Sequence, residues 1–393
     1  MSKESSLYQQ LGVDAQKEGV KRVFKEIIDN EYPNAFVNII TDPYNPNLAM
    51  TQHQDGDGSK FIQRLLHYRE TGDASIFDGM VDDALSMNTG DIAASGFVFG
   101  HWLITDVLNV NLPTKLKKLI MERIALRFSE LKKLYQEHGF HLHFLGGETA
   151  DLKDQVKSAV FDITVTAREK KENIIAGNVQ PGDLIFGFSS AGKAAWEEED
   201  NSGLMSNGLT LARSALMSSS YNEKYPDLRR DDSDFYKGDI DISLNPSLGV
   251  EVSKNILSPT RQWAIIIRTL ALELKKRNAY HMLHGITMNT GGGATKIRNV
   301  GRGIIYNKNM PTPPEIFQLI QKKSGESWRN MYETFNCGIG IDVIGEDHLF
   351  FSEAINETSR KCKIENYFFG CCLENTSDKN SVIIHSEHGS FIA

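Results

Sequence analysis

The chain of 393 residues has only four cysteines and no long apolar segment, and both absences narrow the possible classes of protein. The cysteines form no C-x-x-C pair and no zinc-binding spacing, so we expect free thiols. No apolar run approaches the roughly 18–20 residues that cross a bilayer. The first ten residues, MSKESSLYQQ, are polar and lack the apolar stretch of a signal peptide. These features predict a cytoplasmic protein without a membrane partner.

The sequence also lacks an excess of basic residues. It has 43 lysines and arginines against 51 aspartates and glutamates, which gives a net charge of −8. Proteins that bind nucleic acid usually carry a basic excess, so DNA and RNA are not expected partners. An anionic substrate would need a local basic site that overrides the overall charge.

The length and the spacing of apolar residues predict two domains of mixed structure. A chain of this length exceeds one ordinary core, and two domains of about 150–200 residues are expected. Helical spacing predicts helices, which span residues 15–29, 114–137, 258–277 and 313–325. Alternation and short apolar runs predict strands, which span residues 157–167, 183–189, 303–306, 339–344 and 381–385. The fold class is therefore α/β or α+β.

Local signals mark the ends of the long helix and the domain boundary. Thr114 is a candidate N-cap of the helix at 114–137, and Gly139 follows its end as a stop. Residues 172–182 (ENIIAGNVQPG) form a turn-rich connector. We therefore predict one domain at residues 1–175 and a second at 176–393.

The segment 53–60 (HQDGDGSK) is the first candidate for binding chemistry. Gly56 and Gly58 allow a tight turn and a close approach of the backbone to a ligand. Backbone N–H groups and Lys60 could hold phosphate, and Asp55 could hold Mg²⁺. The same pattern occurs in plain turns, so the segment alone leaves both interpretations open.

Two acidic segments could complete a metal site in the first domain. Residues 82–91 (DDALSMNTGD) carry aspartates at both ends of an apolar stretch, which suits a solvated helix face or a ligand segment. Residues 146–151 (GGETAD) place Glu148 after two glycines, which suits a metal ligand or a corner between strand and loop. Mg²⁺ in nucleotide sites binds a few carboxylates together with phosphate oxygens. Three carboxylate-bearing segments therefore suggest a Mg²⁺–nucleotide site.

Two glycine segments in the second half could bind an anion. Residues 206–208 (SNG) and 290–293 (TGGG) each precede a helical pattern. The N-terminus of a helix is a natural anion site when glycine lets the backbone approach the ligand. Neither segment has the G-x-G-x-x-G order of a dinucleotide site, and either could be a plain helix cap.

In their order along the chain, these segments resemble the aminoimidazole ribonucleotide (AIR) synthetase family, the phosphoribosylformylglycinamidine cyclo-ligases. YQQLGVD at 8–14 resembles Y-x-x-A-G-V-D, and DGDGSK at 55–60 resembles D-G-V-G-T-K. GGETAD resembles G-G-E-T-A-E, LSPTR at 257–261 resembles L-E-P-T-R, and TFNCGIG at 334–340 resembles T-F-N-M-G-I-G. The other matching motifs lie at residues 87–92, 182–187, 206–209 and 290–293. Nine motifs in register cover nearly the whole chain.

The resemblance implies a two-domain AIR-synthetase-like fold with a mixed C-terminal sheet, and N-terminal sheets that pair across a homodimer into a barrel. It implies a ligase of purine biosynthesis that uses ATP and Mg²⁺ to close the ring of formylglycinamidine ribonucleotide. The implied metal ligands are Asp55, Asp91 and Glu148, and the implied catalytic residues are Lys60, His53 and Asp91. The implied contacts to nucleotide or substrate phosphate are Asp55, Gly56, Gly58, Lys60, Asn88, Asn207, Gly208, Gly291, Gly292 and Gly293.

The chain departs from the family pattern in several places. Met205 and Met288 stand where the family has histidine, although His284 is near the second position. The segment 194–203 (AAWEEEDNSG) enlarges the glycine loop relative to the family. The polar segment 218–247 is predicted to be a long excursion or a flexible insertion. With these departures, the chain is most similar to a longer, Bacteroidetes-type branch of the family.

Two other functions remain open. The same superfamily includes ATP-dependent phosphotransferases for thiamin phosphate, selenide or carbamoyl groups, although the LSPTR and TFNCGIG motifs favour the cyclo-ligase. A non-catalytic paralogue that binds nucleotide is suggested by the two missing histidines. The presence of Asp55, Asp91, Glu148 and Lys60 favours an enzyme over this second alternative.

Overall fold

The structure, a computed structural model, describes residues 6–13, 23–24, 26–230 and 234–393. Two large sheets with helices packed against them form the framework, which confirms the mixed class predicted from the sequence. The predicted helix at 15–29 falls largely outside the described residues. No helix in the described ranges is long and apolar enough to cross a membrane.

The first sheet has five strands in the order β1-β2-β5-β3-β4. Its strands are β1 (Ile40–Thr41), β2 (Leu48–Gly56), β3 (His101–Val110), β4 (His141–Asp151) and β5 (Ala159–Lys170). The helices of this half are α1 (Leu7–Gln10), α2 (Lys60–Thr71), α3 (Gly79–Ala93) and α4 (Thr114–Glu137). β3 and β4 are parallel because α4 carries the chain back between them, and the other neighbours are antiparallel. One face of the sheet packs on the helices, and the other is partly exposed.

The second sheet has seven strands in the order β14-β13-β10-β12-β6-β11-β9. Its strands are β6 (Leu184–Ser189), β9 (Leu283–Met288), β10 (Ile304–Asn309), β11 (Ile339–Gly345), β12 (Asn366–Glu374), β13 (Ser381–Ser386) and β14 (Gly389–Ile392). A separate short pair is formed by β7 (Ala191–Gly192) and β8 (Asn201–Ser202). The helices of this half are α5 (Leu209–Leu216), α6 (Tyr221–Lys224), α7 (Pro246–Ile256), α8 (Trp263–Lys276), α9 (Glu315–Ser324), α10 (Trp328–Thr334) and α11 (Leu349–Cys362).

Helix α3 lies between the two halves of the molecule. All 15 of its residues are buried, and it packs against β2 and β5 on one side and α8 on another. The residues 82–91 therefore form a buried helix rather than a solvated face, even though Asp82 and Asp83 are acidic. Buried charges require partners, so this helix positions polar chemistry at the centre of the molecule.

The predicted ends of the helices are confirmed in part. α4 spans Thr114–Glu137 as predicted, and Gly139 has a positive φ of 79° after its end. The N-cap prediction was wrong, because Pro113 occupies the cap position and no side chain caps the helix. α9 ends before Gly325 as expected, but α8 begins at Trp263, five residues later than predicted.

Of the two predictions for 218–247, a long excursion or a flexible insertion, the flexible insertion is wrong for the described residues. Tyr221, Leu228, Phe235 and Tyr236 are buried there, each with at most 2% of its surface exposed. Asn222 ties the segment together, since its Nδ2 donates to the Tyr236 carbonyl oxygen at 2.8 Å. The polar composition of the segment did not indicate this apolar core, because only a few large aromatic residues form it.

Candidate functional site

The glycine-rich segment connects the end of β2 to the start of α2. Gly58 has a φ of 59°, in the left-handed region that favours glycine. A side chain at Gly56 would collide with the Asp162 carboxylate and with the Phe161 carbonyl oxygen of the neighbouring strand. Glycine is therefore needed at Gly58 for the turn and at Gly56 for the close approach of β5.

A polar cluster lies where β2 faces α3. His53 Nδ1 is 3.0 Å from Asn88 Oδ1, and His53 Nε2 is 3.5 Å from Asp91 Oδ2. Asn88 Nδ2 donates to the carbonyl oxygens of Asp55 at 3.0 Å and Ile163 at 2.9 Å. Asn88 thus fixes β2 and β5 against α3 and brings Asp55 near Asp91. Burial is the main cause that raises the pKa of Asp91, and the charge of Asp55 adds to this rise.

The glycine segments of the second half meet at Phe335. A side chain at Gly208 would collide with the Phe335 ring, and one at Gly293 would collide with the Phe335 carbonyl oxygen. Gly58 of the first half lies beside them, because a Cβ at Gly58 would be 3.9 Å from the Ser206 carbonyl oxygen. The fold therefore gathers three glycine segments that are far apart in sequence.

The predicted phosphate contacts of the second half lie beside open space and beside a polar atom that a ligand could bind. No atom lies within 4 Å of a Cβ built at Gly291, apart from its own neighbours in the chain, and Gly292 has a positive φ of 96°. Asn207 Nδ2 donates to the Thr334 carbonyl oxygen at 2.7 Å. Its Oδ1 is buried and finds no hydrogen-bond partner among the described residues. A ligand with a hydrogen-bond donor would satisfy this oxygen.

Lys296 links the glycine triplet to the polar cluster. It lies in the 3₁₀ helix Gly293–Asn299, and its amine donates a hydrogen bond to Thr290 Oγ1. Its Nζ lies 3.7 Å from Asp91 Oδ2. The Asp91 carboxylate therefore lies between His53 of the first half and Lys296 of the second.

Asp91 is the best-formed candidate for a metal-binding carboxylate. Burial raises its pKa, while the charges of Lys296 and His53 lower it. Its Oδ1 is buried without a hydrogen-bond partner in the described part of the chain. Such an oxygen is costly to bury, and a bound cation would satisfy it. Asp55 and Asp91 together fit Mg²⁺, which takes one or two carboxylates and phosphate oxygens.

The third predicted ligand, Glu148, lies elsewhere in the sheet. The segment 146–151 continues as part of β4, and Glu148 is exposed on it. Three strand spacings, or about 14 Å, separate β4 from β2. Across the described ranges, no group of three or more histidine, cysteine or acidic side chains could hold a metal ion. Within one chain, Asp55 and Asp91 therefore lie near each other, and Glu148 does not lie near them.

The structure places Lys60 in an internal ionic network. Its Nζ donates to Asp83 Oδ1 at 2.8 Å and to the Ser258 carbonyl oxygen at 2.7 Å. Arg64 also donates to Asp83, and Thr260 donates to it through its backbone N–H and hydroxyl at 2.7 and 2.6 Å. Contrary to the assignment from sequence, Lys60 does not present its amine to a phosphate, because the fully buried amine already binds two acceptors.

Asp57 is buried beside this network, at the place where the family motif has valine. Neither of its carboxylate oxygens has a hydrogen-bond partner among the described residues, and Arg64 Nε is 3.7 Å from its Oδ2. Burial raises the pKa of Asp57 to about 8, although Arg64 opposes this shift. Asp57 therefore holds a proton in the folded chain at pH values where an exposed aspartate is ionised.

Asp57→Asn is expected to change how stability depends on pH. The folded chain keeps the Asp57 proton up to about pH 8, whereas the unfolded chain loses it near its ordinary pKa. The stability of the unaltered chain should therefore fall as pH rises between about 4 and 8, and asparagine removes this loss. The variant should gain more than about 1 kcal/mol between pH 5 and pH 8 relative to the unaltered chain.

Urea unfolding at several pH values measures this effect. Asp227→Asn is a matched control: Asp227 is exposed in a pair with Arg69, which lowers its pKa, so the substitution should leave the profile between pH 5 and pH 8 unchanged. An Asp57→Asn profile parallel to that of the unaltered chain would contradict the assignment of a buried, protonated Asp57.

Three charged residues beside the candidate segments were not singled out from the sequence. Burial, followed by the charge of Asp55, raises the pKa of Asp162, which lies beside the glycine segment. Burial also raises the pKa of Asp106, whose carboxylate a side chain at Gly147 would meet. For both aspartates, the sequence signal that could have identified them was an acidic residue at a half-buried strand position. For Lys296, the signal was a lysine shortly after the glycine triplet.

The two methionines that replace family histidines are packed into the core. Met205 and Met288 have at most 2% of their surfaces exposed, and Met288 lies against Gly90 of α3. His284 does not take the place of the missing histidine, because its Nδ1 lies 2.8 Å from Asp183 Oδ2. This pair is at the end of β9 remote from the glycine triplet.

Comparison with solved structures defines the class of the fold. The structure titled as a HypE-HypF complex matches with a TM-score of 0.53 at 15% identity, over 96% of this chain and 99% of that chain. T. maritima PurL complexed with FGAR matches with a TM-score of 0.54 at 10% identity, over 95% of this chain and 49% of that one. These matches show that the chain has the AIR-synthetase-like fold.

Comparison of sequences identifies the family. No family model matches the chain. The phosphoribosylformylglycinamidine cyclo-ligase of Methanocaldococcus jannaschii is 30% identical over 299 residues, which cover 75% of this chain and 70% of that protein. Its counterpart from Methanococcus vannielii is 28% identical over 82% of this chain and 77% of its own length. The chain belongs to the phosphoribosylformylglycinamidine cyclo-ligase family.

Proposed function

We propose that the chain uses ATP to close the imidazole ring of formylglycinamidine ribonucleotide, giving aminoimidazole ribonucleotide in purine biosynthesis. The family relationship supports this substrate. The observation that carries the proposal is the convergence of three glycine segments on a buried carboxylate, Asp91, that has an unpartnered oxygen. Such a site suits phosphate groups and a cation together.

The proposed reaction has two steps. ATP phosphorylates the formyl oxygen of the substrate and releases ADP. A nitrogen of the same substrate then attacks the carbon that carries this oxygen, and the oxygen leaves with the phosphate. Phosphorylation is required because an amide oxygen is a poor leaving group, whereas phosphate is a good one. The protein's contribution is therefore to position the reacting groups and to stabilise charge on the phosphoryl group.

The residues of the cluster have distinct proposed roles. Asp55 and Asp91 would hold Mg²⁺, which neutralises charge on the transferred phosphoryl group when bound. Asn88 keeps both carboxylates in place through its contacts to β2 and His53. His53 is proposed to contact the substrate, since its ring is held by Asn88 and Asp91 and remains partly exposed. The phosphates would lie along Gly58, Gly208 and Gly291–Gly293.

The test is release of ADP by the full-length protein with Mg-ATP, measured with and without formylglycinamidine ribonucleotide. We expect ADP release to require this substrate and to equal the amount of aminoimidazole ribonucleotide formed. ADP release with thiamin phosphate instead would assign the chain to another branch of the superfamily. Bound nucleotide without turnover on either substrate would indicate the non-catalytic paralogue, and both outcomes would overturn the proposal.

We further propose that a second copy of the chain covers the exposed face of the first sheet. β4 is an edge strand, and Leu103, Leu145 and Val160 expose 41–63% of their surfaces on this sheet. Apolar area of this kind favours an interface. Glu148 lies on the same strand, so its proposed role as a metal ligand would require the dimer.

Light scattering at micromolar concentration is expected to give a mass of about 88 kDa, twice the 44.1 kDa of one chain. Leu145→Asp should produce monomers, because it places a charge within the covered face. Leu244→Asp changes an exposed leucine away from this sheet and should remain dimeric. A monomeric unaltered chain, or a dimeric Leu145→Asp, would contradict the proposed interface.

We also propose the domain division, the location and the family branch that the sequence predicts. The division into domains at 1–175 and 176–393 agrees with the separate strands of the two sheets. A cytoplasmic location fits a biosynthetic ligase. The similarity to a Bacteroidetes-type branch stays a prediction from the motifs.

A further inference from the structure

Phosphate groups at this site need a cation from the chain itself. The net charge is −8, and Asp55, Asp91 and Asp162 add negative charge beside the glycine segments. The Mg²⁺ complex of a nucleoside triphosphate still carries net negative charge, so a positive side chain within reach would favour its binding. The proposed function, on which the following assignment rests, makes the ligand a nucleoside triphosphate.

Three basic side chains near the site are committed to buried ion pairs. Lys60 and Arg64 both bind Asp83. Lys308 Nζ donates to Asp342 Oδ2 at 2.7 Å beneath the glycine triplet. The side chains of all three have no exposed surface. A phosphate oxygen could reach them only by separating a buried ion pair, which is strongly unfavourable.

Lys296 differs from these three in both position and exposure. It lies three residues after Gly293, the last glycine of the triplet, and 16% of its side-chain surface is exposed. Its amine donates to Thr290 Oγ1 and lies 3.7 Å from Asp91 Oδ2. The amine also lies 4.9 Å from the centre of the Phe36 ring, which holds it above the first half of the chain. Because part of this side chain is exposed, a ligand beside the glycine triplet can reach the amine.

We propose that Lys296 is the cation that binds the phosphate groups of ATP in this chain, in place of Lys60. Without nucleotide, the amine offsets the charge of Asp91. The unpartnered Oδ1 of Asp91 is the position for a cation, and Lys296 approaches the other oxygen of the same carboxylate. A phosphate beside the glycine triplet would then contact both positive groups, as phosphates do in nucleotide sites that combine a lysine with Mg²⁺.

The test is calorimetric titration of the full-length chain with the Mg²⁺ complex of a non-hydrolysable ATP analogue. Lys296→Met should weaken binding by roughly 10- to 100-fold, the effect of losing a charged hydrogen bond. Lys296→Arg should restore part of the affinity, because it keeps the charge. Lys323→Met is the matched control, since Lys323 pairs with the exposed Asp239 and should leave affinity unchanged. The KM for ATP should rise in parallel with the dissociation constant.

The possible results distinguish the role assigned to Lys296 from the proposed reaction. Unchanged affinity in Lys296→Met would overturn the assignment, and so would an unaltered chain that binds no Mg²⁺–nucleotide. A lower melting temperature with normal affinity would assign Lys296 a purely structural role and also overturn it. Weakened nucleotide binding in Lys296→Met, with no ring closure by the unaltered chain, would support Lys296 and reject the proposed substrate.

Discussion

Asp83→Ala is expected to lower the free energy of unfolding by about 3–5 kcal/mol. The carboxylate accepts hydrogen bonds from Lys60, Arg64 and Thr260, and none of these side chains has contact with solvent that could replace it. Removal of the carboxylate leaves an ammonium and a guanidinium buried without their anion. The cost of such uncompensated charges exceeds the net value of the ion pair itself.

Urea unfolding of the full-length protein measures this change. If Asp83→Ala does not fold at all, Asp83→Asn keeps the shape of the side chain and should still lose about 2 kcal/mol or more. Asp227→Ala removes the exposed partner of Arg69 and should cost at most about 1 kcal/mol. A loss in Asp83→Ala no larger than in this control would show that the network does not hold the two halves together.

Asp91→Asn is expected to reduce ATP turnover by about 100-fold or more, while the chain stays as stable as before or becomes slightly more stable. Turnover falls because the amide cannot supply the charge that holds a cation beside the phosphates. Stability is kept because burial raises the pKa of Asp91, so the ionised form is already disfavoured. Lys296 loses its ionic partner but is partly exposed, so water can solvate it.

Thermal melting with and without Mg-ATP, together with the ADP-release assay, tests this expectation. Asp151→Asn is the matched control, because Asp151 pairs with Lys117 on the exposed edge of the same sheet. The Mg-ATP-dependent rise in melting temperature should be lost in Asp91→Asn and kept in the control. A lower melting point with normal turnover would instead make Asp91 a structural residue.

The sequence predicted those elements whose ends carry strong local signals. α4 and α9 have a glycine with positive φ after their last turn, and β5 has a regular alternation of apolar residues. The start of α8 was misplaced because residues 258–262 are used for contacts with the first half, and such contacts have no local signature. The buried aromatic residues of 218–247 were likewise obscured by the polar residues around them.

The sequence predicted the glycine turns of the candidate site, but it did not predict the ion pairs of the side chains. The glycine positions follow from local chemistry, since a turn or a close approach of two strands requires them. The role of Lys60 depends on Asp83, which lies 23 residues away, and Asp83 in turn depends on Thr260, which lies 177 residues away. Lys296 comes next to Asp91 only in the folded chain. Charges were therefore assigned wrongly where the partner was remote.

The polar contacts across α3 also limit how this protein can be divided or recombined. Lys60 Nζ donates to the Ser258 carbonyl oxygen, and the Tyr135 hydroxyl donates to Gln262 Oε1 at 2.9 Å, so buried groups of one half find their acceptors in the other. A fragment that ends near residue 175 would expose both these groups and the apolar surface of α3. The two halves are therefore not exchangeable modules. A substitution on either side of α3 must therefore remain compatible with the other side.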